Sequence, residues 1–306
     1  MLAAVGGAAS TQIDYGGGAI TVSFAGADFD LPRAALLEWV RTAARAVTSY
    51  YGRYPISRAS IRIAGVPGRG GVLSGRSFGH DGALCRMSVG QRVTREELDR
   101  DWTMTHEMVH FAFPSVEDRH HWIEEGSATW VEPIARAQIG NLSPREAWRD
   151  MVRDMPRGLP EPGDRGLDFT HTWASTYWGG AIFCLLADVR TRERTNNAKG
   201  LADALRAINR AGGTIDVDWP LERALDAGDQ ATGTTVLMDL YGEMRDKPAP
   251  VDLPGLWKRL GIQSDGGTIA FTNDAPLAAV REAILPVDTK PRAGAAVLPS
   301  RARRQS

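Results

Sequence analysis

The feature that most constrains this chain is a pair of histidines four residues apart, His106 and His110, with Glu107 between them. Residues at positions i and i+4 of an α-helix lie one turn apart on the same face, so both imidazoles can reach one metal ion. Glu107, next to the first histidine, can act as a general base instead of binding the metal. Histidine is scarce, with six in the chain, and four of them fall between positions 106 and 121. The sequence therefore predicts a zinc site on a helix.

The residues around this motif predict one helix that begins near Thr94 and is ended by Pro114. Thr94 and Glu97 have the spacing of a capping box, in which each side chain hydrogen-bonds a free backbone N–H of the other. Apolar and small residues then recur at helical spacing through the motif: Leu98, Trp102, Thr105, Val109 and Phe113. An ordinary amphipathic helix that happens to carry two histidines is the alternative interpretation.

A third metal ligand is expected from an acidic segment further along the chain. Glu125 lies fifteen residues after His110, and its neighbour Glu124 is the rival candidate. Three protein ligands leave the fourth position of a zinc ion open, as catalysis requires. A metzincin would need a glycine and a histidine where this chain has Phe113 and Val116, so that class is disfavoured.

The motif His106–His110, followed by Trp122–Glu132 (WIEEGSATWVE), resembles the gluzincin metallopeptidases, in particular the aminopeptidase-N and leukotriene-hydrolase branch. In that branch HExxH is followed by W-L-N-E-G-F-A. The resemblance implies one zinc ion held by His106, His110 and Glu125, with Glu107 as general base. It favours Glu125 over Glu124, because Glu125 directly precedes a glycine as in the family. The gap between the two motifs is shorter than in the aminopeptidases, so the chain is more similar to a reduced, peptidase MA-like relative.

A second segment, Ser175–Ala181 (STYWGGA), is similar to the family's Tyr-x-Lys-Gly-Ala motif. There the tyrosine hydroxyl hydrogen-bonds the oxyanion of the tetrahedral intermediate, which implies this role for Tyr177. Gly179 stands where the family has lysine. His171 is a rival donor to the same oxyanion, and an ordinary buried aromatic near a helix start is the plain alternative for Tyr177.

His120 and His121 are expected to lie in a loop or to contact the ligands without binding the metal. Adjacent residues cannot easily both face one ion, and the pair stands just before the segment that carries Glu125.

The resemblance implies an α+β, thermolysin-like catalytic fold, with a small mixed β-sheet in the N-terminal part, a mainly helical part after it and the zinc site between them. Hydrophobic periodicity agrees with this division. It predicts strands at 19–26, 61–66 and 83–89, a helix at 32–51, and mainly helices after Thr172. The glycine-rich run from Gly68 to Gly82 is predicted to be a loop, without the spacing of a phosphate-binding motif.

The strand that precedes the zinc helix is the expected site of substrate binding. In gluzincins an edge strand near the metal pairs with the extended substrate backbone, which is recognition by β-augmentation. The segment Gly82–Val89 is the candidate here, with Gly82, Ala83 and Leu84 as the substrate-binding residues. The aminopeptidase motif Gly-x-Met-Glu-Asn, which holds a free amino terminus, is not found, so nothing in the sequence supports strict amino-terminal trimming.

Four regions are expected along the chain. They are an N-terminal α/β subdomain at 1–93 with the substrate-binding strand, a helical zinc-peptidase subdomain at 94–250, a small helix–strand–helix segment at 251–286, and a disordered tail at 287–306.

Composition bears on the partners and the location of the protein. The net charge of −1 gives no indication of a nucleic-acid partner, and no stretch is apolar enough to span a bilayer. Residues 1–10 are similar to the end of a signal peptide, which favours export, although a disordered Ala/Gly start fits equally well. Cys85 and Cys184 are expected to be small buried hydrophobes, with a disulfide between them left open. Oligomeric state is left open as well.

These observations predict a zinc metallopeptidase that acts on peptides or proteins. Two alternatives remain at this stage. One is a non-catalytic zinc-containing protein that binds peptides, although a structural site has no use for Glu107 and more often has four protein ligands. The other is a hydrolase of another substrate, such as an epoxide, because the leukotriene branch shares these motifs.

Overall fold

The computed structural model describes residues 10–80, 82–265 and 267–287. The signal-like start and the tail predicted above fall outside these ranges, apart from Ser10 and Val287. Within the described ranges, no helix combines the length and the apolar character needed to cross a bilayer.

The N-terminal part forms a five-stranded mixed sheet, as predicted. Its strands are β1 (Ser10–Tyr15), β2 (Gly18–Gly26), β3 (Arg58–Val66), β4 (Val72–Phe78) and β5 (Ala83–Gly90). Their order is β1-β2-β3-β5-β4, with β2, β3 and β5 parallel and the two outer strands antiparallel to their neighbours. Side chains alternate along each strand, so that Ile20, Ile61 and Met87 are buried while the opposite face of the sheet meets solvent.

The sheet corrects the prediction for the glycine-rich run and for the substrate-binding strand. The run predicted as a loop contains β4, which pairs with β5 along its length. As a result β5 lies inside the sheet between β3 and β4, and Gly82, Ala83 and Leu84 do not form an edge. The glycines of this run favoured the prediction of a loop. Gly75 is nevertheless required by packing, because a Cβ there would lie 2.7 Å from the Cγ atom of Glu107.

The remainder of the chain is mainly helical, also as predicted. The helices are α1 (Arg33–Tyr51), α2 (Arg95–Arg100), α3 (Thr103–His110), α4 (His121–Gln138), α5 (Pro144–Asp154), α6 (Gly180–Arg194), α7 (Leu201–Arg210), α8 (Leu221–Thr232), α9 (Val236–Met244), α10 (Leu253–Arg259) and α11 (Ala278–Ile284). A hairpin of β6 (Ile262–Asp265) and β7 (Thr268–Phe271) lies between α10 and α11. One continuous hydrophobic core joins the sheet and the helices.

The helix that was predicted to run from Thr94 to Pro114 is two helices. The capping box of Thr94 and Glu97 starts α2 as expected. The chain then turns extended at Asp101, whose carboxylate accepts hydrogen bonds from the backbone N–H of Met104 (3.0 Å) and from Trp39 Nε1 (3.1 Å). Asp101 therefore satisfies a free donor at the start of α3, the helix that carries the two histidines.

The architecture is thus mixed α and β, with a small N-terminal sheet and a helical remainder. Cys85 and Cys184 are both buried and both free thiols, as expected for small hydrophobic residues. The division at positions 93 and 250 stays a prediction.

Candidate metal centre

His106, His110 and Glu125 converge at the junction of α3 and α4. The Nε2 atoms of the two histidines lie 3.1 and 3.6 Å from Glu125 Oε2, and one ligand atom from each of the three residues lies within 4.8 Å of the other two. The two imidazole rings are 5.0 Å apart, as the i, i+4 spacing requires. All three side chains are largely withdrawn from solvent. These three residues, which we call the metal group, can hold one metal ion.

The chemistry of the donors fits zinc. Two imidazole nitrogens and one carboxylate oxygen are ligands that zinc accepts in catalytic sites, and three protein ligands leave a position open. The site also attracts positive charge. Burial raises the pKa of Glu125, but hydrogen bonds from His106, His110 and His121 outweigh it and hold the pKa of this carboxyl well below its usual range.

The same carboxylates raise the pKa of two histidines, His110 and His121. Burial lowers the pKa of His110, but the hydrogen bond and charge of Glu125 outweigh it, so the pKa is raised. Hydrogen bonds to Glu124 and then to Glu125 raise the pKa of His121 to about 10. A divalent cation bound here would place positive charge beside these carboxylates.

Close contact between α4 and α6 sets the position of Glu125. A Cβ at Gly126 would lie 2.3 Å from the carbonyl carbon of Gly180, and one at Gly180 would lie 2.1 Å from the backbone oxygen of Trp122. The two backbones therefore touch where the helices cross, and only glycine fits at either position. The glycine that follows Glu125 is therefore required for the close contact of the two helices.

A buried hydrogen-bond network holds the first turn of α4. Asp168 Oδ1 accepts hydrogen bonds from His120 Nδ1 at 2.9 Å and from Trp122 Nε1 at 2.8 Å. Its Oδ2 accepts one from the Tyr241 hydroxyl at 3.0 Å. His120 Nε2 accepts from Arg119 Nε at 3.1 Å, which assigns the ring proton to Nδ1. His120 therefore anchors the start of the helix through Asp168.

His121 and Glu124 lie beside the metal group without joining it. His121 Nδ1 is 2.8 Å from Glu124 Oε2, and His121 Nε2 is 3.2 Å from Glu125 Oε1. The oxygen of Glu125 that faces away from His106 and His110 is thus held by His121. Carboxylates that bind zinc are commonly oriented by such outer partners.

Glu107 is buried on the side of α3 that faces β4. The backbone oxygen of Glu107 accepts a hydrogen bond from Ser77 Oγ at 2.9 Å, and its side chain packs over Gly75. Its carboxylate lines the same cleft as His110 and Glu125.

This cleft has a volume of about 480 Å³. One wall is the last part of β4 and the residues after it, Gly75 to His80, and the other wall carries His110, Glu125 and Tyr177. Gly82, Ala83 and Leu84, the residues predicted to bind substrate, are not among its lining residues. They line a separate groove on the solvent face of the sheet.

Tyr177 lies on a π-helical turn, Ser175–Gly179, directly before α6. Such turns occur often at functional sites. Its ring stacks on that of His106, with centroids 6.0 Å apart and planes at 13°, and on that of Trp173 at 5.4 Å. Burial and the nearby Glu125 carboxylate raise the pKa of Tyr177 well above its ordinary value, so its hydroxyl remains a donor. His171, the rival donor, is exposed and does not line the cleft.

A second cavity, of about 550 Å³, opens on the other side of His106 and Tyr177. Aromatic and apolar side chains form much of its wall: Trp102, Leu142, Met151, Met155, Trp173 and Trp178. A buried ion pair, Glu132 with Arg136 at 2.9 Å, also lines it. This cavity was not predicted from the sequence, because part of its wall is helix α5, which begins with the capping box of Ser143 and Glu146 and was not among the predicted helices.

Comparison with known proteins gives a fold and not a family. No family model matches the chain, and no curated protein matches it. Among solved structures, an aminopeptidase N family protein from Idiomarina loihiensis is similar with a TM-score of 0.58 and 13% identity, over 83% of this chain and 49% of that one. A mutant of the M1 zinc metallopeptidase from Deinococcus radiodurans is similar with a TM-score of 0.50 and 16% identity, over 80% and 53%.

The chain therefore spans about half the length of these relatives. At such identities the likeness concerns the fold alone: this chain has a fold like that of the M1 zinc metallopeptidases. The expected mixed α and β fold, with a small N-terminal sheet and a mainly helical remainder, agrees with this likeness.

Proposed function

We propose that this chain is a zinc-dependent peptide hydrolase of the gluzincin type with a thermolysin-like catalytic fold. The observation that carries the proposal is the convergence of His106, His110 and Glu125, with Glu107 and Tyr177 lining the same cleft. A structural zinc site would need neither a buried carboxylate beside the ligands nor an open cleft in front of them. His106, His110 and Glu125 would hold one zinc ion.

The zinc ion, when bound, would supply Lewis-acid chemistry and make water a nucleophile near neutral pH. Glu107 would accept the proton of the attacking water and deliver it to the leaving amine. Tyr177, whose hydroxyl remains protonated, would donate a hydrogen bond to the oxyanion that develops on the substrate carbonyl. Glu107 and Glu125 are buried, so water screens their interactions less and these interactions are stronger.

We assign substrate backbone recognition to β4 in place of Gly82, Ala83 and Leu84. Within the described sheet β4 is the edge strand on this side, and its residues Gly75 to Phe78 line the cleft beside Glu107. An extended peptide can add to such an edge through main-chain hydrogen bonds. The aromatic cavity beside His106 would take one side chain of that peptide.

Metal removal tests the proposed function. The zinc content of the purified chain is measured first, and a broad library of internally quenched peptides is then screened for cleavage. We expect cleavage that a chelator abolishes and that added zinc restores, because the metal is required for the reaction. A protein that carries one zinc ion per chain and cleaves no member of the library would instead be a zinc-containing binding protein.

Replacing Tyr177 by phenylalanine tests the oxyanion donor. We expect kcat to fall by about 10²–10³-fold with little change in KM, since a transition-state hydrogen bond is lost while the ring and its stacking on His106 are kept. His171→Ala is the matched control and should leave kcat unchanged. A larger loss in the His171 variant than in the Tyr177 variant would reverse the assignment.

A further inference from the structure

Three arginines lie side by side across the solvent face of the sheet. In the register of the strands, Arg62 of β3 is opposite Arg86 of β5, and Arg86 is opposite Arg76 of β4. Neighbouring strands are about 4.8 Å apart, so the three residues span roughly 10 Å. All three are exposed, and Arg58, four residues before Arg62 on the same strand, is exposed on the same face. We call these four residues the arginine row.

The positive charge of this row is not compensated within the described chain. No carboxylate there lies within ion-pair distance of any of the four guanidinium groups. The groove that the row borders has a volume of about 990 Å³ and is lined by Arg58, Arg62, Arg86 and His80, with no acidic residue among its described lining. Asp81, beside His80, is outside the described residues.

Such an arrangement has an energetic cost in the free protein. Like charges directly opposite each other on adjacent strands destabilise a sheet. Phe78 offsets part of this cost, because the guanidinium carbons of Arg76 and Arg86 lie 5.6 and 5.0 Å from the centre of its ring. An acidic ligand would offset the remainder, since it would pair with charges that have no partner in the described protein.

One end of the arginine row, Arg76, lies at the cleft that also contains Glu107. Arg76, Phe78 and His80 line the same cleft as Glu107, His110 and Glu125. Phe78 and His80 also line the groove on the sheet face. The two depressions therefore adjoin at the end of β4, and a peptide that leaves the cleft past Phe78 and His80 would reach the groove.

We propose that this groove binds acidic residues of the peptide substrate that flank the scissile bond, which makes acidic polypeptides the preferred substrate class. The inference rests on the proposed peptide hydrolysis, because it places the occupant by its connection to the cleft. A peptide is favoured over a nucleic acid for that reason, and because the chain as a whole carries a net charge of −1.

The test compares two fluorogenic peptides that share one cleavable core from the library screen. One peptide carries a run of aspartate and glutamate beside the core, and the other carries serine and glycine at the same positions; both flanks are tried. At low ionic strength we expect kcat/KM to be about tenfold higher for the acidic peptide, and the difference to shrink in salt. The double variant Arg62→Gln with Arg86→Gln should remove this advantage and leave the neutral peptide unaffected.

Arg45→Gln is the matched control. Arg45 is exposed on α1, outside the groove and the cleft, and should keep the preference for the acidic peptide. Loss of folding is not expected in the double variant, because it removes exposed like charges that repel each other. Equal kcat/KM for the two peptides in the unaltered protein, or an advantage that survives in the double variant, overturns the proposal.

The two proposals fail in different ways. If neither peptide is cleaved, the hydrolase assignment is at fault, and binding of the labelled acidic peptide measured by fluorescence anisotropy then tests the groove alone. Binding that the double variant loses would confirm the site. An oligonucleotide of equal charge that displaces the acidic peptide and binds more tightly would show that the groove serves nucleic acid instead.

Discussion

Replacing Glu107 by glutamine is expected to give a folded, zinc-loaded protein whose turnover falls by about 10²–10⁴-fold, the usual contribution of a general acid–base group. The amide keeps the shape of the side chain but cannot accept a proton from water. The metal ligands are untouched, so zinc content should equal that of the unaltered chain. Zinc analysis and kcat on the best library peptide, measured side by side, check the prediction.

The surroundings of Glu107 make this substitution informative. Its backbone is tied to Ser77, and its side chain lies against Gly75, so an isosteric residue disturbs little. Glu117→Gln, at an exposed glutamate outside the cleft, is the control for the loss of one negative charge. Full activity in the Glu107 variant would show that another group takes the proton, and loss of zinc in it would show that Glu107 is needed to hold the metal.

The local part of this site could be predicted from the sequence because it depends on helix geometry. A spacing of four residues fixes the two imidazoles on one face of α3 wherever the helix lies. The pairing of Glu125 with Gly126 was informative for a similar reason: the glycine permits the contact between α4 and α6 that brings the carboxylate to the histidines. Both signals are carried by residues close together in the chain.

The parts that the sequence did not reveal depend on contacts between distant segments. β4 was hidden because its glycine content is explained only by the approach of Glu107, thirty-two positions after Gly75. The break between α2 and α3 depends on Asp101, which is bound by Trp39 from α1. The anchoring of His120 by Asp168 joins residues 48 positions apart. Periodicity within a window of residues cannot report such pairs.

The arginine row could not be predicted from the sequence either, because it depends on how distant strands pair. Arg62 lies between two isoleucines, and Arg86 lies between a cysteine and a methionine, as solvent-facing positions of a strand commonly do. Only the register places Arg62, Arg86 and Arg76 opposite one another, and that register depends on the recognition of β4. A net charge of −1 gave no hint of this basic surface, because a sum over the chain conceals how the charge is distributed.

The second large effect is expected for the proposed third metal ligand, Glu125. Its substitution also distinguishes Glu125 from its neighbour Glu124. Glu125→Gln should lower zinc affinity by more than about 100-fold, because outer partners of ligands alone are worth 10–100-fold and Glu125 is proposed to bind directly. Activity at limiting zinc should disappear with the metal. Competition against a chromogenic chelator measures the affinity, and zinc content after dialysis measures retention.

Glu124→Gln is the matched control for this substitution. Glu124 contacts His121 at 2.8 Å, whereas Glu125 faces the two ligand histidines at 3.1 and 3.6 Å. The Glu124 variant should therefore retain zinc, with at most the loss expected when the partner of an outer histidine is weakened. If the Glu124 variant loses the metal and the Glu125 variant keeps it, then Glu124 is the ligand and α4 must rotate when zinc binds. Equal retention of zinc in both variants would contradict the assignment of Glu125 as the third ligand.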